Sequence, residues 1–365
     1  MLLQGGKVLN EAFQWEEKDV LIGEGRIEAL LPPGTGGREC IDVSGRLILP
    51  GLVDTHIHGA HGTDTMSGNF EPISKFLVKH GVTSFMPTTM TMPISELKRV
   101  MSSSRQVSGA QILGFHLEGP YLNETYKGAQ NEKYLKLPDW NDFEDYSFIK
   151  MMTIAPELEG SMEYITRASQ QFTIALGHSD CDYETALRAM DAGATSITHL
   201  CNGMKPLHHR SPNLLGAGLE QNRCYTQVIA DGIHLHPGML RLIYHCKGAD
   251  RMALISDAMS AAGLPDGIYD LGGKRVHVKD SVARIDAGNL AGSTTNLWDS
   301  VKLLERIGIP FEQAVKMASR TPANMVGASK KGTIAVGNDA DLLIITEQRE
   351  IEQVMIAGQW VDISE

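Results

Sequence analysis

Between residues 51 and 330 the chain alternates eight short apolar, β-branched runs with stretches of helical periodicity, and few folds accept that alternation. The runs fall at 52–58, 82–88, 112–118, 150–156, 172–178, 194–200, 225–231 and 252–258. Between them, apolar residues recur at helical spacing over Phe70–Gly81, Ser161–Gln171, Tyr183–Gly193 and Pro237–Gly248. Strands that alternate with helices build parallel βαβ units. Eight such strands predict an α/β fold of the (β/α)8 TIM-barrel type, and the span is close to the ~250 residues that fold usually takes. A doubly wound open sheet is the rival, weakened because no Gly-x-Gly-x-x-Gly follows an early strand.

The two ends of the chain read differently. Apolar and polar positions alternate between turn signals over Lys18–Leu31, and again over Lys331–Gly337, Asp341–Thr346 and Val354–Val361. This is the pattern of short antiparallel strands. It predicts a small β-sandwich domain built from residues 1–50 and 331–365, flanking a barrel domain of residues 51–330.

The net charge of −11 argues against nonspecific attraction to nucleic acid or an anionic membrane surface. An anionic ligand would therefore need a local cluster of positive groups. The five cysteines, Cys40, Cys181, Cys201, Cys224 and Cys246, are scattered and form no Cys-x-x-Cys pair. That favours a reducing compartment over a disulfide framework or a structural zinc knuckle. The first residues lack the basic-then-apolar layout of a secretion signal, and no apolar run reaches bilayer length. The expectation is a cytoplasmic protein.

The C-terminal ends of barrel strands carry catalytic groups in this fold, and here those ends are rich in chemistry. The first run finishes in His56-Ile-His58, the third in His116-Leu-Glu118, the fifth in His178, the sixth in His199, the seventh in Asp231-Gly-Ile-His234 and the eighth in Asp257. Histidines two apart on a strand point to one face, so His56 and His58 can grip one ion. Imidazole with carboxylate suits a divalent metal, zinc first, with iron, manganese or cobalt as alternatives. A single histidine at a strand end is more often a hydrogen-bonded structural residue. Four histidines and two carboxylates at the same end of five strands are a different matter, because buried polar groups need partners. Asp54 and His116 lie one layer deeper, where a structural or supporting role is expected, and Glu157 is open between the two. His61, His80, His245 and His277 read as ordinary loop or helix residues.

These strand ends, with Pro50-Gly-Leu-Val-Asp-Thr-His56-Ile-His58-Gly and Gly337-Asn-Asp-Ala-Asp-Leu, resemble the amidohydrolase superfamily. His116-Leu-Glu118-Gly-Pro, Gly177-His178-Ser, Thr198-His199-Leu-Cys-Asn202-Gly-Met, Ala230-Asp-Gly-Ile-His234 and Ser256-Asp257-Ala narrow the resemblance to its N-acetylglucosamine-6-phosphate deacetylase family. The resemblance implies a metal on Glu118, His178 and His199 and a second on His56 and His58, with Glu118 bridging. Two ions per subunit are expected, although some relatives lack the paired histidines and use one.

Metal lowers the pKa of bound water toward neutrality. Asp257 would orient that water, accept its proton and deliver it to the departing amine; the alternative reading of Asp257 is a helix N-cap. His234 is expected to polarise the acetyl carbonyl. The resemblance assigns the phosphorylated amino sugar to Asn202, Gly203, Arg210 and His234, with Arg210 reaching across a homodimer interface. A solvated surface loop is the plain reading of His208-His209-Arg210. Two long segments, 119–149 and 259–295, are expected to cover the substrate. In them Ala129, Gln130, Leu290, Ala291 and Gly292 match sugar-contacting positions, but Gln130 stands where many relatives have histidine. An amide can hydrogen-bond there but cannot titrate. The rivals are another amidohydrolase, of D-aminoacylase or cyclic-amide hydrolase type, and a non-catalytic barrel scaffold.

Overall fold

The computed structural model describes residues 1–36, 39–144 and 146–364. Eight parallel strands form the barrel: β1 Leu52–Ile57, β2 Val82–Thr89, β3 Phe115–Glu118, β4 Ile149–Ile154, β5 Thr173–Leu176, β6 Ser196–Ile197, β7 Tyr225–Ile229 and β8 Met252–Ile255. Each pairs in parallel with the next. The ring closes where the Asp257 N–H donates to the His56 carbonyl at 2.9 Å. All eight expected runs are strands. The third, expected as one piece, is broken: Gln111–Ile112 pairs with β2 ahead of β3, and Gly114 between them sits at φ 149°.

Among the described residues six α-helices lie between the strands, α1 Glu71–Lys79, α2 Ile94–Met101, α3 Ser161–Ala168, α4 Tyr183–Asp191, α5 Asn213–Glu220 and α6 Pro237–Lys247, and α1, α3, α4 and α6 fall on the four stretches of helical periodicity. Helices α7 Leu297–Arg306, α8 Phe311–Ala318 and α9 Arg320–Met325 follow β8. Their apolar faces pack on the barrel wall, where Phe76, Leu97, Ile165, Ile243, Val301 and Val315 are buried. The reason is the one the pattern predicts: a helix with one apolar stripe must lay it against another element.

The chain ends assemble together. A four-stranded sheet holds Leu2–Gln4, Asp19–Gly23, Arg26–Leu31 and Cys40–Asp42, and a six-stranded sheet mixes Lys7–Leu9, Trp15–Glu17 and Leu47–Pro50 with Leu342–Ile345, Ile351–Ile356 and Gln359–Val361. Leu3, Val8, Val20, Ile22, Ile48, Ile334, Leu342 and Ile344 form a core of their own between the sheets. A buried ammonium ties this part to the barrel. Lys331 Nζ donates to Asp341 Oδ2 at 2.7 Å and to Gln111 Oε1 at 2.6 Å. Among the described residues no helix is long and apolar enough to cross a membrane.

Candidate metal centre

The six strand-end groups converge at the barrel mouth. His56, His58 and Asp257 bring ligand atoms together in one buried group, and Glu118, His178 and His199 in another. In the second group Glu118 Oε1 lies 3.1 Å from His178 Nε2 and 2.9 Å from His199 Nε2, and the two nitrogens are 3.2 Å apart. In the first, the His56 and His58 Nε2 atoms are 3.2 Å apart and each is 3.3 Å from Asp257 Oδ1. Glu118 joins the two, with Oε2 at 3.2 Å from His58 Nε2.

These separations test whether a metal fits. Ligands ~2.0–2.1 Å from a tetrahedral ion stand roughly 3.3 Å from one another, which is the spacing found in both groups. The hydrogen-bond partners point the same way. The Nδ1–H of His178 donates to the Tyr126 carbonyl at 2.7 Å, that of His199 to the Asn202 carbonyl at 3.1 Å, and that of His58 to the Thr88 carbonyl at 3.2 Å. His56 Nδ1 meets Gln227 Oε1 at 3.2 Å. Carbonyls only accept, so they hold the proton on Nδ1 and leave the Nε2 lone pairs converging. Facing lone pairs repel unless a cation or a proton lies between them.

The electrostatics describe the proton version of that balance. Burial pushes the His56 pKa down to about 4, against the pull of Glu118 and Asp257. Burial also opposes a charge on His58, but hydrogen bonds to Asp257 and Glu118 outweigh it and hold the imidazole up at about 10. The same contest raises His199. Burial would raise Glu118 and Asp257, yet the surrounding histidines hold both carboxyls below their ordinary range. Two carboxylates are thus balanced by imidazolium, which a metal ion can replace.

The backbone shows how far the fold goes to aim these groups. His178 sits at φ 49°, His199 at φ 26° and Asp257 at φ 48°. Left-handed conformations are unfavourable for such residues by about 1–3 kcal/mol each and cluster at functional sites. Each lies two residues beyond the end of its barrel strand, where the chain turns at the mouth. Gly203 completes the approach: a Cβ there would lie 3.0 Å from His178 Nδ1 and 3.3 Å from His199 Cε1.

Below the ligands, His116 stacks edge-on against His56 with ring centroids 4.5 Å apart, and its Nε2 meets Thr153 Oγ1 at 2.8 Å. Asp54 Oδ1 accepts from the His56 and Ser256 N–H groups, tying β1 to β8. Both are the supporting residues expected. Glu157 also takes a supporting part, holding Asn123, Ser179 and the Asp180 N–H beside His178. Sequence reasoning missed Gln227 and Thr88. A clue was available at Gln227, an amide inside the apolar run of β7 and fully buried.

A cavity of 390 Å³ opens above the metal groups, within the ~300–1,000 Å³ of small-molecule sites. Ala129, Gln130, Asn202, Gly203, His234, Leu290 and Gly292 line it, together with Met90, Tyr126, Cys201 and Asn289. His234 is held by Asp231, whose Oδ2 lies 2.7 Å from Nδ1. Ala291 is buried behind the lining. Arg210 is exposed, stands apart from the cavity of its own chain, and donates from Nη1 to His209 Nε2 at 2.7 Å. The segment after β3 covers one side. The segment after β8 covers another, as a three-stranded antiparallel sheet of Gly267–Leu271, Lys274–Lys279 and Val282–Ile285.

Histidine and carboxylate ligands at the C-terminal mouth of a (β/α)8 barrel define a metal-hydrolase architecture, and the amidohydrolase family model matches residues 47–361. A relative from Vibrio furnissii, N-acetylglucosamine-6-phosphate deacetylase, is 38% identical, over 86% of this chain and 82% of its own. One from Escherichia coli O157:H7, N-acetylgalactosamine-6-phosphate deacetylase, is 34% identical over 98% of both chains. The solved N-acetyl-D-glucosamine-6-phosphate deacetylase of Mycobacterium smegmatis, a mutant in complex with N-acetyl-D-glucosamine-6-phosphate, superposes with a TM-score of 0.92 at 30% identity, covering 99% of each chain. The chain belongs to the amidohydrolase family, in its N-acetylglucosamine-6-phosphate deacetylase branch.

Proposed function

We propose that this protein hydrolyses the acetamide of N-acetylglucosamine 6-phosphate, giving glucosamine 6-phosphate and acetate, with two divalent ions per subunit, zinc foremost. The observation that carries the proposal is the pair of three-ligand groups joined by Glu118 at the floor of the cavity. Relatives that bear this activity in their names cover most of the chain.

When bound, the ions supply a water activated for attack at neutral pH. His178, His199 and Glu118 would hold one ion, and His56 and His58, with Asp257 beside them, the other. Asp257 accepts the proton of the attacking water and returns it to the amine nitrogen as the C–N bond breaks. His234, braced by Asp231 at Nδ1, donates through Nε2 to the acetyl oxygen. Asn202, Gly203 and Gly292 sit where a sugar would rest. Arg210 is exposed in its own chain, which suits a role in the phosphate site of a partner subunit in a homodimer. The scattered cysteines favour work in the cytoplasm.

A second reading has one specific support: the E. coli relative named for the galactosamine epimer covers 98% of the chain at 34% identity. The deciding experiment is acetate release by metal-loaded protein from N-acetylglucosamine 6-phosphate, N-acetylgalactosamine 6-phosphate and unphosphorylated N-acetylglucosamine. Preference for the first supports the proposal, and preference for the second transfers the enzyme to the epimer. Equal rates with and without phosphate would remove the phosphate site, and with it Arg210.

A further inference from the structure

Gln130 lines the substrate cavity, yet its side chain is 2% exposed and its amide is largely used up by the protein. Its Nε2 donates to Glu118 Oε2 at 2.5 Å, its Oε1 accepts from the Thr91 N–H at 2.6 Å, and its carbonyl accepts from Lys274 Nζ at 2.8 Å. The second amide hydrogen has the Met90 sulfur near it, at 3.7 Å from Nε2. The oxygen Gln130 holds is the one that faces His58, at 3.2 Å, whereas Oε1 is closest to His178 and His199, at 3.1 and 2.9 Å, and stands 3.5 Å from His56. A carboxylate oxygen has two lone pairs, so Oε2 can accept from the amide and still turn one toward a cation.

We propose that Gln130 is a positioning residue for the metal bridge: it fixes the rotation of the Glu118 carboxylate so that Oε2 serves the His56–His58 ion. This rests on the two-ion centre proposed above and assigns Gln130 a task other than touching sugar. Thr91 holds the amide oxygen and thereby fixes which end of the amide meets Glu118. Lys274, on the sheet that follows β8, holds the Gln130 backbone, so both segments that cover the cavity meet at this residue. With the donor removed, Oε1 keeps its close contacts to His178 and His199, while Oε2, the nearer oxygen to the His56–His58 pair, loses its tether. The loss therefore falls on one ion and not the other.

The test is zinc binding to metal-stripped protein, by competition with a chromophoric chelator, for wild type, Gln130→Met and Gln130→Glu. Methionine keeps the volume without the donor, and glutamate keeps the Thr91 acceptor while placing a like charge beside Glu118. Wild type should take two ions. Both variants should hold one with unchanged affinity and bind the second ~10–100-fold more weakly, as for other residues that orient metal ligands. At saturating zinc, KM for the phosphorylated sugar should stay within about threefold. Circular dichroism of the stripped proteins identifies a variant that has not folded, and the other variant then decides. Two ions at wild-type affinity in the folded variants, with KM raised tenfold, would overturn the proposal and make Gln130 a sugar contact. Wild type that takes fewer than two ions would overturn the two-ion centre itself, and the positioning role with it.

Discussion

Replacing Asp257 by asparagine separates proton transfer from shape. The side chain is 10% exposed, and its Oδ1 stands 3.3 Å from the Nε2 atoms of both His56 and His58. Asparagine fills the same space and keeps an oxygen for that position, but it cannot take up a proton. A positioned general base contributes about 10²–10⁴-fold, equal to roughly 3–5 kcal/mol of activation free energy. We therefore expect kcat to fall by about 10²–10⁴ with KM nearly unchanged, because Asp257 lies on the cavity floor with the metal groups. The assay is acetate release at saturating zinc, with metal content measured on the same sample so that ion loss is not mistaken for base loss. Since His56 and His58 hold the Asp257 carboxyl below its ordinary range, the base stays ionised through the ordinary carboxylate range and is lost only on further acidification. Any loss of wild-type activity on milder acidification should then track metal release. A kcat within tenfold of wild type, with both ions retained, would refute the assignment.

Three further outcomes follow from the same contacts. Gln227→Leu removes the acceptor for His56 Nδ1 and should weaken zinc binding about 10–100-fold; equilibrium dialysis that finds no change would remove Gln227 from the site. Metal affinity should depend on pH with a definite sign. His58, held up at about 10, is protonated below that value in the metal-free protein, so the proton competes with the ion. Affinity should fall roughly tenfold per pH unit on acidification for each proton displaced, and calorimetry in buffers of different ionisation heat would count those protons. A pH-independent affinity would contradict the charge balance described above. Lys331→Ala leaves Asp341, 4% exposed, without its buried partner and should cost about 3–5 kcal/mol. Spread over 365 residues, at ~2.1 cal/mol/K per residue, this lowers Tm by about 4–7 °C, and a melt shifted by less than 1 °C would show that the buried Lys331 contacts to Asp341 and Gln111 contribute nothing to stability.

The barrel was legible because its signals are local. Each apolar run and each helical stripe carries its own period, and the rule that active groups sit at C-terminal strand ends needs only chain direction. His56 and His58 could be paired from two-residue alternation alone. The one departure in the strands, the break at Gly114, depends on how β3 meets its neighbours, since the Gly114 Cβ position would run into Lys150 and the Phe148 carbonyl.

What the sequence determined by itself was the list: six candidate ligand and base residues, the strand each one ends, and two covering segments. Only the tertiary structure decided how they face one another. Glu118 standing among four histidines, Gln227 reaching His56 across 171 residues of chain, and Gln130 turning its amide onto Glu118 are all products of the tertiary fold. The physical reason is that strand alternation is set by neighbouring bonds, whereas a 3 Å contact between strand ends is set by the stagger of the whole ring.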